Sequence, residues 1–543
     1  MSTNEPKLFD GKMILAIGLT MIFWVGYQSY LQQKYPEAYK KQDQQVTEAP
    51  AGTTVIENGE VINTASGDMQ VEQKKTSSGE LVPKETFIEY SDENFDLQFS
   101  SRGLSVAKIK LNKLSDREGL PIEFQSTDSA LHFETTIVGR RNPLYFNMKK
   151  TEDNQIYGEA KLGDMVIKKT INIDSSSYLL TTNVTVENAD DNFSGVITKL
   201  TSPVQKADGA SFLSPGLNYQ EYYVNYDDGE EDRLVLEPGA SEKETFSTVS
   251  VASLSSQYFT VAVLNDSDIF PDFQGTASVR GEKTDAVGVM THMMLNRGKD
   301  FSVSYKAYAG PKSWEVLESV SPMLTNIINF GFFKTIALWI FKLLQIIHAA
   351  VGNWGIAIIL LTLLVRVIVM PFNIMSYKSM KAMSKIQPQM KSIREKYKND
   401  PQKANQEIMV LMKEAKANPL GGCLPMLLQI PVFFALYQVL GQSIELYKAP
   451  FGLWIADLSS ADPFYIFPVG MGLAMYFQQK ITPSTLEPAQ QKMLMFMPLF
   501  LIAIMATLPS GLTLYMFIST LFGVLQQLYF MKDDRKRETL ATA

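Results

Sequence analysis

Apolar and polar positions follow one another along this chain in two rhythms, and the change between them divides it. From residue 85 to residue 323 the period is two. Phe95, Leu97 and Phe99 alternate with Asp96 and Gln98, Ala107, Ile109 and Leu111 alternate with Lys108 and Lys110, and Tyr178, Leu180, Val184 and Val186 share a face of a third run. Such half-buried strands recur to about Tyr308 with turn signals between them, as at Arg102-Gly103, and predict a large all-β sandwich over residues 85–323. From about residue 330 the alternation gives way to unbroken apolar runs, the pattern of membrane-spanning helices.

The runs at 352–372, 420–441, 464–477, 493–508 and 512–530 each predict a span, the last two separated by the turn Pro509-Ser510-Gly511. An earlier run, 13–30, follows Lys7 and Lys12 and carries Trp24, Tyr27 and Tyr30 at its outer end. It reads as a retained signal anchor, because no small-residue cleavage site follows its core. That makes six spans, with a flexible polar linker over 31–84. The segment 330–350 differs: Lys334, Thr335, Lys342, Gln345 and His348 fall on one side, shared with Leu338 and Phe341. It is expected to lie in the membrane interface as an amphipathic helix.

Residues 373–417 are strongly basic, and a short positive loop belongs on the cytoplasmic side. Met383, Ile386, Met390, Ile393 and Tyr397 keep heptad spacing, as do Ala404, Ile408, Leu411 and Ala415. Asp400 and Pro401 stand between them as a cap and a first helical residue, so the segment predicts a cytoplasmic helical hairpin. With the hairpin inside, the N-terminus and the tail 532–543 are cytoplasmic and the β-domain is on the far side of the membrane.

Bulk composition sharpens this only a little. The chain has 543 residues, 45% hydrophobic and 20% charged, with a net charge of -7, averages that conceal a polar half and an apolar half. Its one cysteine, Cys423, excludes an internal disulfide, and His132, His292 and His348 are far apart. No metal-ligand spacing, phosphate-cradling loop or nucleophile elbow occurs, so no cofactor or metal is expected and an enzyme is disfavoured.

The feature that points to chemistry is Arg366 inside the run Ile358 to Pro371. A cation at the centre of a spanning helix costs roughly 2.5–3.5 kcal/mol on insertion scales. None of the later spans contains an acidic residue, so an internal ion pair is excluded. Either Arg366 snorkels to the nearby cytoplasmic interface, or it lines a water-filled cavity open to that side. Thr362 lies one helical turn away on its face, and Gln429, Thr513, Tyr515 and Ser519 offer neutral polar groups from other spans.

The segments GNWGIAIILLTLLVRVIVMP, NPLGGCLPMLLQIPVFFALYQVL, FGLWIADLSSADPFYI, QQKMLMFMPLF and PSGLTLYMFIS, in this order and with a basic hairpin after the first, resemble the YidC family of bacterial membrane protein insertases, in the Oxa-type superfamily. The resemblance covers about 330–530, and the β-domain is similar in position and size to that of the Gram-negative members. It implies a five-helix core around a hydrophilic groove, open to cytoplasm and lipid and containing one arginine, here Arg366. Its implied clients are nascent inner-membrane proteins, inserted and helped to fold alone or with the Sec translocon. The ribosome and targeting machinery would meet the hairpin and tail, and membrane lipids would surround the core. Arg366, Thr362, Gln429, Tyr515, Met516 and Ser519 are the expected client-binding residues; the family often has an aromatic where Met516 stands. Met375, Met380, Met383, Met390, Met409 and Met412 of the hairpin offer either a yielding client surface or ordinary packing. A transporter or channel, or an envelope receptor or scaffold, would also fit a polar cavity beside a β-domain.

Overall fold

The computed structural model describes residues 84–542 except 128, 141, 152–153, 205–219, 281–282, 295–299, 416–423 and 483–487. The expected anchor at 13–30 and all but the last residue of the linker lie outside the described residues.

Strands with alternating burial build a β-sandwich. Its nine-stranded antiparallel sheet includes, side by side, Gln220–Tyr226, Val249–Ser255, Phe259–Asn265, Phe301–Pro311, Leu179–Glu187, Met165–Asp174 and Gln155–Leu162. A five-stranded sheet faces it, centred on Asp272–Arg280, Lys283–Met293 and Gly195–Val204. Aromatic pairs join the layers: Tyr222 meets Phe273 edge-on at 5.6 Å, and His292 stacks on Tyr305 at 6.4 Å. A four-stranded sheet runs Phe87–Ser91, Phe95–Ser100, Ser105–Ser115, Pro121–Gln125. Phe95, Leu97 and Phe99 are buried as the alternation requires. In the partner strand a bulge opposite Gln98 and Phe99 shifts the register, so Val106 is buried and Ala107 only half-buried.

Eight helices follow among the described residues: α1 (Trp314–Val320), α2 (Lys334–Val351), α3 (Trp354–Lys396), α4 (Pro401–Glu414), α5 (Leu424–Gln442), α6 (Ile466–Ile481), α7 (Pro488–Met505) and α8 (Ser510–Thr542). Three of them contain segments long and apolar enough to cross a membrane, Lys334–Val351, Trp354–Lys396 and Ser510–Asp533. Side chains that a soluble protein would bury face outward, among them Ile368, Phe496, Leu499, Leu525 and Tyr529, as lipid contact requires. The interior faces pack through Ile358, Leu361, Leu436, Val439, Leu440, Phe467, Met471, Leu512 and Leu514.

Two details differ from the reading by periodicity. The span at 352–372 and the first arm of the basic segment are one helix of 43 residues, which passes through Pro371 and Pro388 without a break. A proline removes one backbone donor, and a helix in this setting tolerates that loss where neighbouring groups re-satisfy the freed carbonyl. In α2, Phe341 does not share a polar face. It is buried, its ring 5.9 Å from Trp314 and 5.7 Å from Phe330, because the chain leaving the sandwich folds back over the helix.

Local capping sets the helix starts. The Asn353 side chain accepts from Ile356 N at 3.0 Å, and Asp400 accepts from Lys403 N at 3.0 Å with Pro401 as the first helical residue. Helix α4 packs on the second half of α3 through Met383, Ile386, Ile408 and Met412, while Met375 and Met409 are exposed. The methionines of this segment thus divide between packing and surface.

Candidate functional site

The site is built where α3, α5 and α8 meet. Helix propensity is not what places Arg366 there; the apolar run on either side commits the helix to the membrane and carries the guanidinium with it. Its side chain is half-buried and reaches across to α8, where Nε donates to Ser519 Oγ at 2.8 Å and Nη2 donates to the same oxygen. A hydrogen bond from a charged group is worth about 1.5–3 kcal/mol, close to the roughly 2.5–3.5 kcal/mol insertion cost. The guanidinium has five N–H donors, and Ser519 takes two of them. No carboxylate among the described residues forms an ion pair with it.

Tyr515, one turn before Ser519, is fully buried, and its hydroxyl accepts from Gln429 Nε2 of α5 at 2.7 Å. Two of the expected polar residues are occupied within their own helices. Thr362, fully buried, donates to Ile358 O at 2.6 Å, and Thr513 donates to Ser510 O at 3.1 Å. Met516 is half-buried against the same core. The structure therefore brings Arg366 with Ser519 and Gln429 with Tyr515 into two hydrogen-bonded pairs that share α8, with Thr362 buried one turn from Arg366.

The α3–α8 contact has a regularity that sequence reasoning missed. Arg366 pairs with Ser519, and Asn373 donates to Gln526 Oε1 at 3.2 Å, both pairs 153 residues apart in the chain. Tyr377 and Phe530 keep the same offset with rings 5.0 Å apart. A constant offset means two parallel helices in fixed register. The matched spacings of seven and four residues in 366, 373, 377 and in 519, 526, 530 were the available signal.

At the end of the bundle next to the sandwich, a polar loop between α5 and α6 is held by hydrogen bonds. Asp457 accepts from Lys448 N at 3.0 Å, Ser459 N at 2.8 Å and Ser460 Oγ at 2.6 Å, while its own carbonyl accepts from Ser510 Oγ at 3.0 Å. Asp462, nearly inaccessible, accepts from Trp454 Nε1 at 3.0 Å and Phe467 N at 2.8 Å. The sandwich rests on this loop: Lys448 Nζ donates to Ser115 Oγ at 2.7 Å, Gln257 Nε2 donates to Gly441 O at 2.7 Å, and the Tyr258 ring lies 4.9 Å from that of Tyr447. Beside it, Glu445 accepts from Trp314 N at 3.3 Å, and burial raises its carboxyl above the ordinary range.

Two family models match the chain. One, described as 60Kd inner membrane protein, matches residues 346–538, and the other, described as YidC periplasmic domain, matches residues 94–343. The membrane protein insertase YidC of Geobacter metallireducens is 41% identical over 290 residues, 53% of this chain and 54% of that one, so the chain spans about half the length of that relative. The insertase YidC of Anaeromyxobacter dehalogenans is 34% identical over 409 residues, 74% of this chain and 73% of that one. A solved structure described as an active YidC insertase with the first transmembrane domain resolved is similar over 82% of this chain and 92% of that one, at 20% identity and a TM-score of 0.37.

Proposed function

This chain belongs to the YidC family of membrane protein insertases, and from that premise we propose that it inserts newly made proteins into the bacterial inner membrane and helps them fold, through a hydrophilic groove lined by Arg366, Thr362, Gln429, Tyr515, Met516 and Ser519. The observation that carries the groove is Arg366 itself: a half-buried cation within an apolar helix, with one serine oxygen as its acceptor among the described residues. Such a group is stable only beside water, and water beside it lowers the cost of carrying a client's polar segment part-way across. The client's apolar segment then moves into lipid, driven by burial worth about 25 cal/mol per Å². The chain's own residues do this without bond chemistry; the protein is an insertase and chaperone, not an enzyme.

In this reading the groove opens to the cytoplasm and to lipid, and the Asp457–Ser510 loop closes it on the outer side. Six spans cross the membrane, the first of them at 13–30. The α2 helix lies in the interface although its length and apolarity would let it span; its Lys334 turns to the sandwich, donating to Glu231 Oε1 at 3.4 Å and Asn326 Oδ1 at 3.1 Å, and Lys342 lies over the Trp314 ring at 5.9 Å. The packed arms of α3 and α4 form the cytoplasmic hairpin, both termini are cytoplasmic, and the sandwich is periplasmic. The basic hairpin and tail meet the ribosome, targeting machinery and anionic lipid, and the insertase works alone or beside the Sec translocon.

Site-specific photocrosslinking from Thr362, Gln429 and Tyr515 to a stalled nascent membrane protein tests the reading. Crosslinks from these positions are expected, and their absence at all of them would remove the groove.

A further inference from the structure

Inward of Arg366, the α3–α8 seam leads to a second polar cluster, in which two amide nitrogens have no hydrogen-bond partner among the described residues. Asn373 is seven residues further along, about 10 Å at about 1.5 Å per residue, where it bonds Gln526 at 3.2 Å. The other amide atom of Gln526, Nε2, is buried and has no hydrogen-bond partner among the described residues. Gln527 is 8% exposed, and its Nε2 is likewise without a partner. One turn before it, Gly523 lets α6 come close: a methyl group there would stand 3.0 Å from Gln478 Nε2. Tyr377 and Phe530 close the seam just beyond.

Buried amide donors left unmet cost stability, and no acceptor among the described residues meets these two. We propose that Gln526 and Gln527, flanked by Asn373 and Gln478, form a binding subsite at the inner mouth for the backbone carbonyls of an entering client segment. This inference rests on the groove reading and deepens it. Carboxamide donors match peptide carbonyls whatever the side chain, so the subsite is indifferent to client charge, unlike Arg366. It also discriminates by conformation. An extended or looped segment presents free carbonyls, whereas a client that has become a helix uses them internally and no longer holds the subsite. Release into lipid therefore follows from helix formation and needs no energy source.

The test uses the full-length protein in inner-membrane vesicles, with stalled nascent chains of two clients, one with an acidic and one with a neutral translocated segment. Photocrosslinkers are placed singly at Gln526 and Gln527, and Gln527→Leu is assayed for insertion with its membrane level checked. Both crosslinkers should capture both clients, and Gln527→Leu should lower insertion of both by a similar factor, roughly three- to tenfold for a lost hydrogen bond. Crosslinks from Thr362 and Gln429 with none, or lipid alone, from Gln526 and Gln527 would overturn the subsite and leave the groove standing. No client crosslinks from any of these positions would overturn both. A Gln527→Leu variant at normal level that loses only the acidic client, or neither, would also overturn the subsite.

Discussion

Arg366 and Ser519 are 153 residues apart in the chain, yet two of the five guanidinium donors converge on that one hydroxyl oxygen across the α3–α8 seam. The pair bridges two parallel helices and leaves three guanidinium donors without an acceptor among the described residues. It therefore separates two roles of the arginine that substitution can measure.

Arg366→Lys keeps the charge and loses the two-donor fit to Ser519; Arg366→Ala loses both. If charge pairing with clients dominates, Lys supports acidic clients at near the parent rate and Ala fails them by tenfold or more. If wetting dominates, Lys serves both kinds of client, and Ala, which dries the groove, fails acidic and neutral clients alike. Insertion of acidic and neutral clients into vesicles, measured by protease protection, distinguishes the two. Ser519→Ala should lower the stability of the helical domain by about 1.5–3 kcal/mol, because it removes the one acceptor that two donors of a half-buried cation share.

Tyr515→Phe removes the acceptor of Gln429 Nε2 and leaves that amide facing a fully buried ring. The expected cost is about 1–3 kcal/mol, read as a lower unfolding temperature in detergent. Insertion should fall for every client alike, since the lost contact carries no charge.

Gly355 lies against the Phe451 ring so closely that a side-chain methyl at this position overlaps it. Gly355→Ala should push α3 away from the outer loop and destabilise the protein by about 1–3 kcal/mol. Increased labelling of a cysteine placed at Ile455, buried in the loop, would report the loosened outer closure. Unchanged melting and unchanged loop protection would refute the contact.

Lys169 gives the sandwich a pH dependence. It is fully buried between the sheets and donates to Phe133 O at 2.8 Å, Thr135 Oγ1 at 2.8 Å and Gly103 O at 3.3 Å. Burial outweighs the nearby Glu134 and lowers its pKa to about 7 from 10.5. Between these values the unfolded chain binds the proton and the folded one does not, so stability rises as pH increases from about 7 to about 10.5. Urea unfolding of the sandwich in the full-length protein, followed by proteolysis at about pH 7 and about pH 9, should show a gain of about 1–3 kcal/mol. Lys169→Met should abolish this gain, and an equal gain in the variant would refute the assignment.

The sequence by itself determined what each segment could become. Alternation at Phe95, Leu97 and Phe99 dictated a strand with one buried face, and the apolar run around Arg366 dictated a helix in lipid, because both follow from local periodicity and the solvent each side chain prefers. It also announced that Arg366 needs water or a partner, since no acid was available in the later spans. Only the tertiary structure decided which groups meet. Periodicity gives the face on which Ser519 and Gln526 lie but not the helix opposite, so the pairing with Arg366 and Asn373 depended on the parallel register of α3 and α8. The same holds for Phe341, which periodicity placed on a mixed face and the chain leaving the sandwich buried. Thr362 shows the limit from the other side: its position on the arginine's face was legible, but its hydroxyl is used by its own helix, a choice made by local backbone geometry once the helix is packed. Contacts between distant segments are selected by packing of the whole, and a linear pattern carries only their possibility.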